Sequence, residues 1–261
     1  MTVPSSSAHA KVNGLEMYYE THGYETHGDA PDGSRPLVLL HGGAQTVGLA
    51  FSAVLPALAA DRRVVAPELQ GHGHTADTDR ALTVPDLASD VVALLDELRV
   101  QQADFLGFSL GGLTALEIAV RHPERVGRLA LAATMYTQDG VHEEVRVPDY
   151  SSPRLPSQAD FQEMADTYAA FAPDPEHFQD FLAKVSAGAH APLPWTADDL
   201  RGLRAPTLLL VGDGDFVRVE HAAEMQRLIP DAQLAVLPAT THMSLMRRTS
   251  LLLPLLREFF A

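Results

Sequence analysis

Short β-rich runs alternate with amphipathic helical stretches along most of this chain. That alternation admits few folds other than a mostly parallel sheet covered by helices on both faces. Residues 36–41 (PLVLLH) are almost continuously apolar, as expected of a strand buried on both sides. Residues 63–67 (RVVAP), 103–108 (ADFLGF), 126–133 (VGRLALAA), 205–212 (APTLLLVG) and 232–237 (AQLAVL) read as further strands. Residues 15–21 (LEMYYET) alternate instead and stop close to Gly23, which predicts an early antiparallel strand. Helical patterns cover 51–60, 110–122 and 219–229, and a last helix ends at Phe260, with Pro254 expected in its first turn, where a missing donor costs least. Thr83 offers an N-cap with Asp86 three residues on, and Leu87, Val91, Leu94, Leu95 and Leu98 follow at helical spacing.

The alternation breaks once. From about Met135 to Pro194 no buried strand is evident, and prolines cluster around helical stretches near 160–171 and 177–187. The expected organisation is one core domain, 1–134 and 196–261, interrupted by a helical cap at 135–195. Such a cap would stand over the carboxyl ends of the strands, where open α/β sheets bind ligands. A tandem pentapeptide, YETHG at 19–23 and again at 24–28, reads as a duplicated hairpin loop rather than a metal site or a repeat fold.

Charge and composition narrow the partners. The net charge of −15 repels phosphate, so neither nucleic acid nor an anionic membrane is an expected partner. Without cysteine there is no disulfide framework, thiolate zinc site or cysteine nucleophile. The polar start at 1–10 lacks a signal-peptide pattern, and no apolar run is long enough to span a bilayer, so a cytoplasmic location is expected.

The chemistry centres on Gly107-Phe108-Ser109-Leu110-Gly111. A bare G-x-S-x-G match means little, but here a buried strand runs into the serine and an amphipathic helix runs out of it. That context is the sharp turn that projects a serine hydroxyl from a sheet edge. A β-carbon at Gly107 or Gly111 would collide with the crossing helix and strand, and the Leu110 N–H stands at a helix N-terminus, where it can meet developing negative charge. A serine hydroxyl needs a base, and the base needs a carboxylate to orient it. His242, in a loop after the last strand, is the best placed of twelve histidines. The GDGD at 212–215 supplies the acid. Asp215 is preferred to Asp213, because the residue directly after a strand turns away while the glycines let Asp215 fold back. The chain order serine, aspartate, histidine fits one of the three common triad orders. A second oxyanion donor is expected from His41-Gly42-Gly43-Ala44, at Gly43, with His41 itself structural.

Taken together, HGG at 41–43, APELQGHG at 66–73, GFSLGG at 107–112, GDGD at 212–215 and His242 resemble the α/β-hydrolase superfamily, in its small bacterial esterase, enol-lactonase and haloperoxidase-like branch. The resemblance runs from about residue 11 to 260. It implies an eight-stranded, mostly parallel sheet, the Ser109–Asp215–His242 triad, and the Gly43 and Leu110 amide pair. Two positions depart from it: Gln70 stands where many relatives have arginine, and no aromatic follows His41-Gly42. His72 and His74, with Asp77 and Asp79 near them, are not read as a metal site, since His72 already has its place in the family's G-H-G loop.

The expected function is therefore a cofactor-free, metal-free serine hydrolase acting on a small neutral or apolar ester, thioester or lactone. A serine at 109 argues against the dehalogenase and epoxide hydrolase chemistries that resemble enzymes with aspartate there. Met135, Tyr136, Phe171, Trp195 and Met243 are candidate pocket walls. The alternative is a receptor-like, ligand-binding member of the same fold with little turnover.

Overall fold

The computed structural model describes residues 6–23, 35–147 and 151–261. The second YETHG copy lies outside the described residues. Eight strands form one sheet: β1 Ser6–Val12, β2 Leu15–His22, β3 Leu37–Leu40, β4 Val64–Pro67, β5 Ala103–Phe108, β6 Val126–Ala132, β7 Thr207–Gly214 and β8 Ala232–Thr241. Their spatial order is β1-β2-β4-β3-β5-β6-β7-β8, with β3 to β8 parallel and the first two antiparallel. The helices are α1 Val47–Phe51, α2 Leu55–Leu58, α3 Val84–Glu97, α4 Leu110–Arg121, α5 Glu143–Arg146, α6 Gln158–Phe171, α7 Phe178–His190, α8 Ala197–Arg201, α9 Val219–Leu228 and α10 Thr249–Phe260.

The central strands β3, β4 and β5 are buried at every position, which is why their sequences show no polar alternation. Successive residues feed opposite cores. Val38 and Leu40 join Leu87 and Val91 of α3, Leu116 of α4 and Met225 of α9. Leu37 and Leu39 join Phe51 of α1, Leu55 of α2, and Leu252 and Leu256 of α10. Each such side chain contributes about 1.5–3 kcal/mol on burial, so these two layers hold the sheet rigid.

The strand order then places the site. The chain leaves β3 for β4 on one side and returns to β5 on the other, so the loops after β3 and β5 diverge and open a crevice at the carboxyl ends. The residues of HGG and the serine of the G-x-S-x-G turn are the ones that follow those two strands. Helices α5 to α8 come between β6 and β7. Phe181 of α7 is fully buried, edge-on to His72 and stacked on Tyr168 of α6. Asp77 of the core receives Lys184 Nζ at 2.8 Å and His177 Nε2 at 3.0 Å from the inserted segment. Among the described residues no helix is long and apolar enough to cross a membrane.

Four local readings differ from the sequence expectation. β1 was not foreseen, because its residues are mostly exposed and carry no apolar pattern. Its signal is the turn that follows, Asn13-Gly14, where both residues take positive φ and tie β1 to β2 as a hairpin. The helix expected at 51–60 is two short ones, the first capped by Thr46, whose hydroxyl accepts the Leu49 N–H, and the second begun around Pro56. β7 extends through Asp213 to Gly214, and β8 extends through Pro238 to Thr241. Pro254 sits inside α10 rather than in its first turn. Pro254 and Ser250 are both on the exposed side of the helix, so the carbonyl that loses its partner is open to water.

Candidate active site

Ser109 ends β5 and begins α4 with φ 54° and ψ −116°, a conformation that non-glycine residues rarely hold. It persists because both flanking elements are buried and the backbone is tied: the Ser109 N–H donates to Ala132 O at 2.9 Å, and Ser109 O accepts the Leu113 N–H at 3.0 Å. Strand and helix touch so closely that glycine is required. A β-carbon at Gly107 would strike the Gly111 carbonyl, one at Gly111 the Leu40 carbonyl, and one at Gly112 the Thr134 hydroxyl.

The loop after β3 is braced by two neutral histidines. His41 Nδ1 lies 2.8 Å from Gly42 O, and its Nε2 accepts the Leu69 N–H at 3.1 Å. His72 Nδ1 lies 2.8 Å from Gln70 O, and its Nε2 accepts the Ala44 N–H at 3.1 Å. Each ring donates at one nitrogen and accepts at the other, which settles the neutral tautomer. Burial holds His41 at about 3 and His72 at about 4. So braced, Gly43 lies between α7 and α4: a β-carbon there would lie 3.2 Å from Val185 Cγ1 and 3.9 Å from Leu110 Cδ2. Among the described residues neither the Gly43 nor the Leu110 N–H has a backbone acceptor.

The two other expected groups meet. His242 Nδ1 lies 2.9 Å from Asp215 Oδ1, and the same oxygen accepts the Val217 N–H at 3.0 Å. Asp215 is completely buried and its Oδ2 has no partner among the described residues. Asp213 points elsewhere, accepting the Thr240 N–H at 3.1 Å, a bond that lowers its carboxyl below the usual range and holds the end of β8. The imidazole of His242 is sandwiched between Phe216, stacked at 3.6 Å, and Phe108 at 4.9 Å. Among the described residues the Ser109 hydroxyl makes no hydrogen bond, and it shares with His242 one cavity of about 240 Å³. Such bonds are often long until substrate arrives.

That cavity is bounded by Gly42, Gly43, Phe108 and Leu110 from the core, by Met164, Val185 and Gly188 from α6 and α7, and by Met135 and Met243. Tyr136 and Trp195, expected as pocket walls, do not line it. Trp195 is buried with Nε1 donating to Glu117 Oε2 at 2.5 Å. Tyr136 stacks on His221 and bonds Glu224 Oε1 at 2.6 Å. Phe171 is half exposed on α6, against His74. Sequence reasoning passed over Phe216 and Gln45. Phe216 had a signal, since it follows Asp215 directly; Met164 and Val185 had none, because only the docking of α6 and α7 brings them to the cavity of Ser109.

A serine on a strained elbow, a buried Asp–His pair and a glycine loop thus lie at one crevice. Residues 37–250 match the model of the alpha/beta hydrolase family, and the chain belongs to that family. It is 26% identical to the 2-hydroxy-6-oxo-2,4-heptadienoate hydrolase of Pseudomonas putida F1 over 92% of this chain and 94% of that one. It is 42% identical to a 2-hydroxymuconate semialdehyde hydrolase of Pseudomonas sp. CF600, over 37% of this chain and 35% of that protein. The chain thus spans only about a third of the length of some curated relatives it matches. A solved structure described as an N-acyl homoserine lactone degrading enzyme is similar with TM-score 0.75 and 26% identity, over 96% of this chain and 99% of that one. The enol-lactonase of Burkholderia xenovorans LB400 shares the fold, with TM-score 0.69 and 23% identity over 96% and 98% of the two chains.

Proposed function

We propose that this protein is a serine hydrolase, needing no cofactor, that cleaves a small neutral or apolar ester, thioester or lactone through an acyl-enzyme on Ser109. The observation that carries the reading is the 2.9 Å bond between the buried Asp215 and His242, at the cavity that the strained Ser109 enters. Asp215 fixes the Nδ1–H tautomer of His242, which leaves Nε2 free to take the Ser109 proton. The hydroxyl oxygen attacks the carbonyl carbon, and the oxygen that becomes negative is received by the Gly43 and Leu110 N–H groups. His242 then gives its proton to the leaving oxygen or sulfur. Water, deprotonated by the same imidazole, resolves the acyl-enzyme. The unpaired Asp215 Oδ2 leaves that carboxylate's charge available to the imidazolium while it exists.

Substrate class follows from the walls. Met135, Met243, Leu113, Val185 and Phe216 offer apolar surface, and a cavity of about 240 Å³ is below the range of drug-sized sites, which favours a short acyl group. In this reading residues 135–195 serve as the cap. Relatives named for hydrolysis of a dienoate or a semialdehyde and for degradation of a lactone support a small carbonyl-bearing substrate.

The test is labelling with a fluorophosphonate and turnover of nitrophenyl esters. Wild-type protein should gain one adduct mass, Ser109→Ala none, and the variant should lose about 10⁴-fold or more in turnover. Unchanged turnover in Ser109→Ala would end the reading. An adduct without turnover of any ester or lactone would favour the receptor-like alternative.

A further inference from the structure

Gln45 carries a polar group that the mechanism above does not use. It follows Ala44, whose φ of 56° turns the loop sharply, and precedes Thr46, the cap of α1. Its backbone N–H closes a turn onto Gly42 O at 3.3 Å. The residue is only 6% exposed, lines the cavity of Ser109 and His242, and its Oε1 is buried without a hydrogen-bond partner among the described residues. Leu82, Phe108 and Leu113 give the same cavity apolar wall, while Gln138, Arg146 and His190 also line it. Oε1 is sealed from water, and neither amide atom has a hydrogen-bond partner among the described residues. A methionine would fill the same volume with no polar group left unpaired, so the carboxamide is costly to the empty protein unless, turned toward the cavity, it is bonded by something that enters.

Position says what that something is. Oε1 lies 2.9 Å from where a Gly42 β-carbon would stand, beside the residue whose successor, Gly43, offers its N–H to the substrate carbonyl. A group bonded to Gln45 therefore lies near the scissile carbonyl and not at the far end of the acyl chain. We infer that Gln45 is a specificity-determining residue, selecting substrates with a hydrogen-bonding substituent (hydroxyl, keto or amide) on a carbon next to, or one removed from, the scissile carbonyl. A carboxamide can donate or accept, so both kinds of substituent fit. The inference rests on the serine hydrolase reading and narrows its substrate class.

The experiment compares nitrophenyl butanoate with the 2-hydroxy- and 3-hydroxybutanoate esters in wild type, Gln45→Met and Gln45→Asn, with melting curves to establish folding. Intrinsic ester reactivity cancels in the ratio of variant to wild-type kcat/KM for each substrate. Gln45→Met should lower kcat/KM for at least one hydroxylated ester by about tenfold or more and change the plain ester by less than about twofold. Gln45→Asn, which keeps the polar group but withdraws it, should fall between. Equal losses on all three esters, or no loss, would overturn the inference while leaving the hydrolase reading standing. If wild type turns over the plain ester but neither hydroxylated ester, the inference is overturned and the hydrolase reading stands; if it turns over no ester or lactone at all, both fall.

Discussion

Asp215 and His242 are 27 positions apart in sequence, and the carboxylate of one lies 2.9 Å from the imidazole of the other, while Asp213 two residues earlier grips the Thr240 N–H instead. The two aspartates therefore divide the labour, one facing the His242 imidazole and the other holding the end of β8. Asp215→Asn should keep the fold and lower kcat by about 10⁴-fold, since an amide cannot hold the same tautomer or stabilise the imidazolium. Asp213→Asn keeps an acceptor for Thr240 and should change kcat by less than about tenfold. Steady-state kinetics on one ester decides it, and a larger loss at 213 would reverse the assignment.

The elbow tolerates no side chain at Gly111, because a β-carbon there meets the Leu40 carbonyl of the neighbouring strand. Backbone cannot yield as a flexible side chain can. Gly111→Ala should destabilise by about 3 kcal/mol or more. Urea denaturation is the check; a variant as stable as wild type would mean that β3 and α4 are not so closely apposed.

Acid should loosen the loop that carries Gly43. His41 and His72 are held at about 3 and about 4, below the ordinary 6.5, chiefly by burial. The unfolded chain takes up protons at these rings below pH 6.5 while the native chain does not. Their contribution to stability is therefore complete above 6.5 and is lost as the pH falls toward 4 and then 3. Urea midpoints should decline across that window, and the decline should be shallower in His72→Asn. A midpoint independent of pH between 6.5 and 4 would contradict the buried neutral pair.

Trp195 belongs to the core. Its indole N–H bonds the buried Glu117, and the cavity lies elsewhere. Trp195→Phe removes the donor and should destabilise by about 1–3 kcal/mol, with kcat/KM on small esters within about twofold of wild type. A selective fall in kcat/KM with unchanged stability would return Trp195 to the pocket wall.

The sheet and the elbow were legible because short-range rules produce them. Residues 36–41 and 103–108 are apolar throughout because both faces of their strands are covered, and Gly107 and Gly111 flank Ser109 because no other residue fits the crossing. The reason for preferring Asp215 to Asp213 was not legible: β7 runs through Asp213 to Gly214, so Asp215 is itself the first residue after the strand, and the two differ because Asp213 is held by the Thr240 N–H. β1 escaped because an exposed edge strand needs no apolar pattern, and Pro254 was misplaced because nothing local says where a helix of leucines begins.

What the amino-acid order determined by itself is the scaffold and the identity of the groups at its carboxyl edge, since strand burial, glycine contacts and chain order are properties of neighbouring residues. What tertiary structure decided is which side chains share the cavity. Tyr136 and Trp195 turn to partners in the core, whereas Gln45, Phe216, Met164 and Val185 come to surround Ser109 from segments as far as 107 positions on. That outcome depends on how α6 and α7 dock across the sheet edge, through the burial of Phe181 and the pairing of Lys184 and His177 with Asp77. Such long-range contacts leave no periodic trace in sequence, because each docking residue needs only one distant partner.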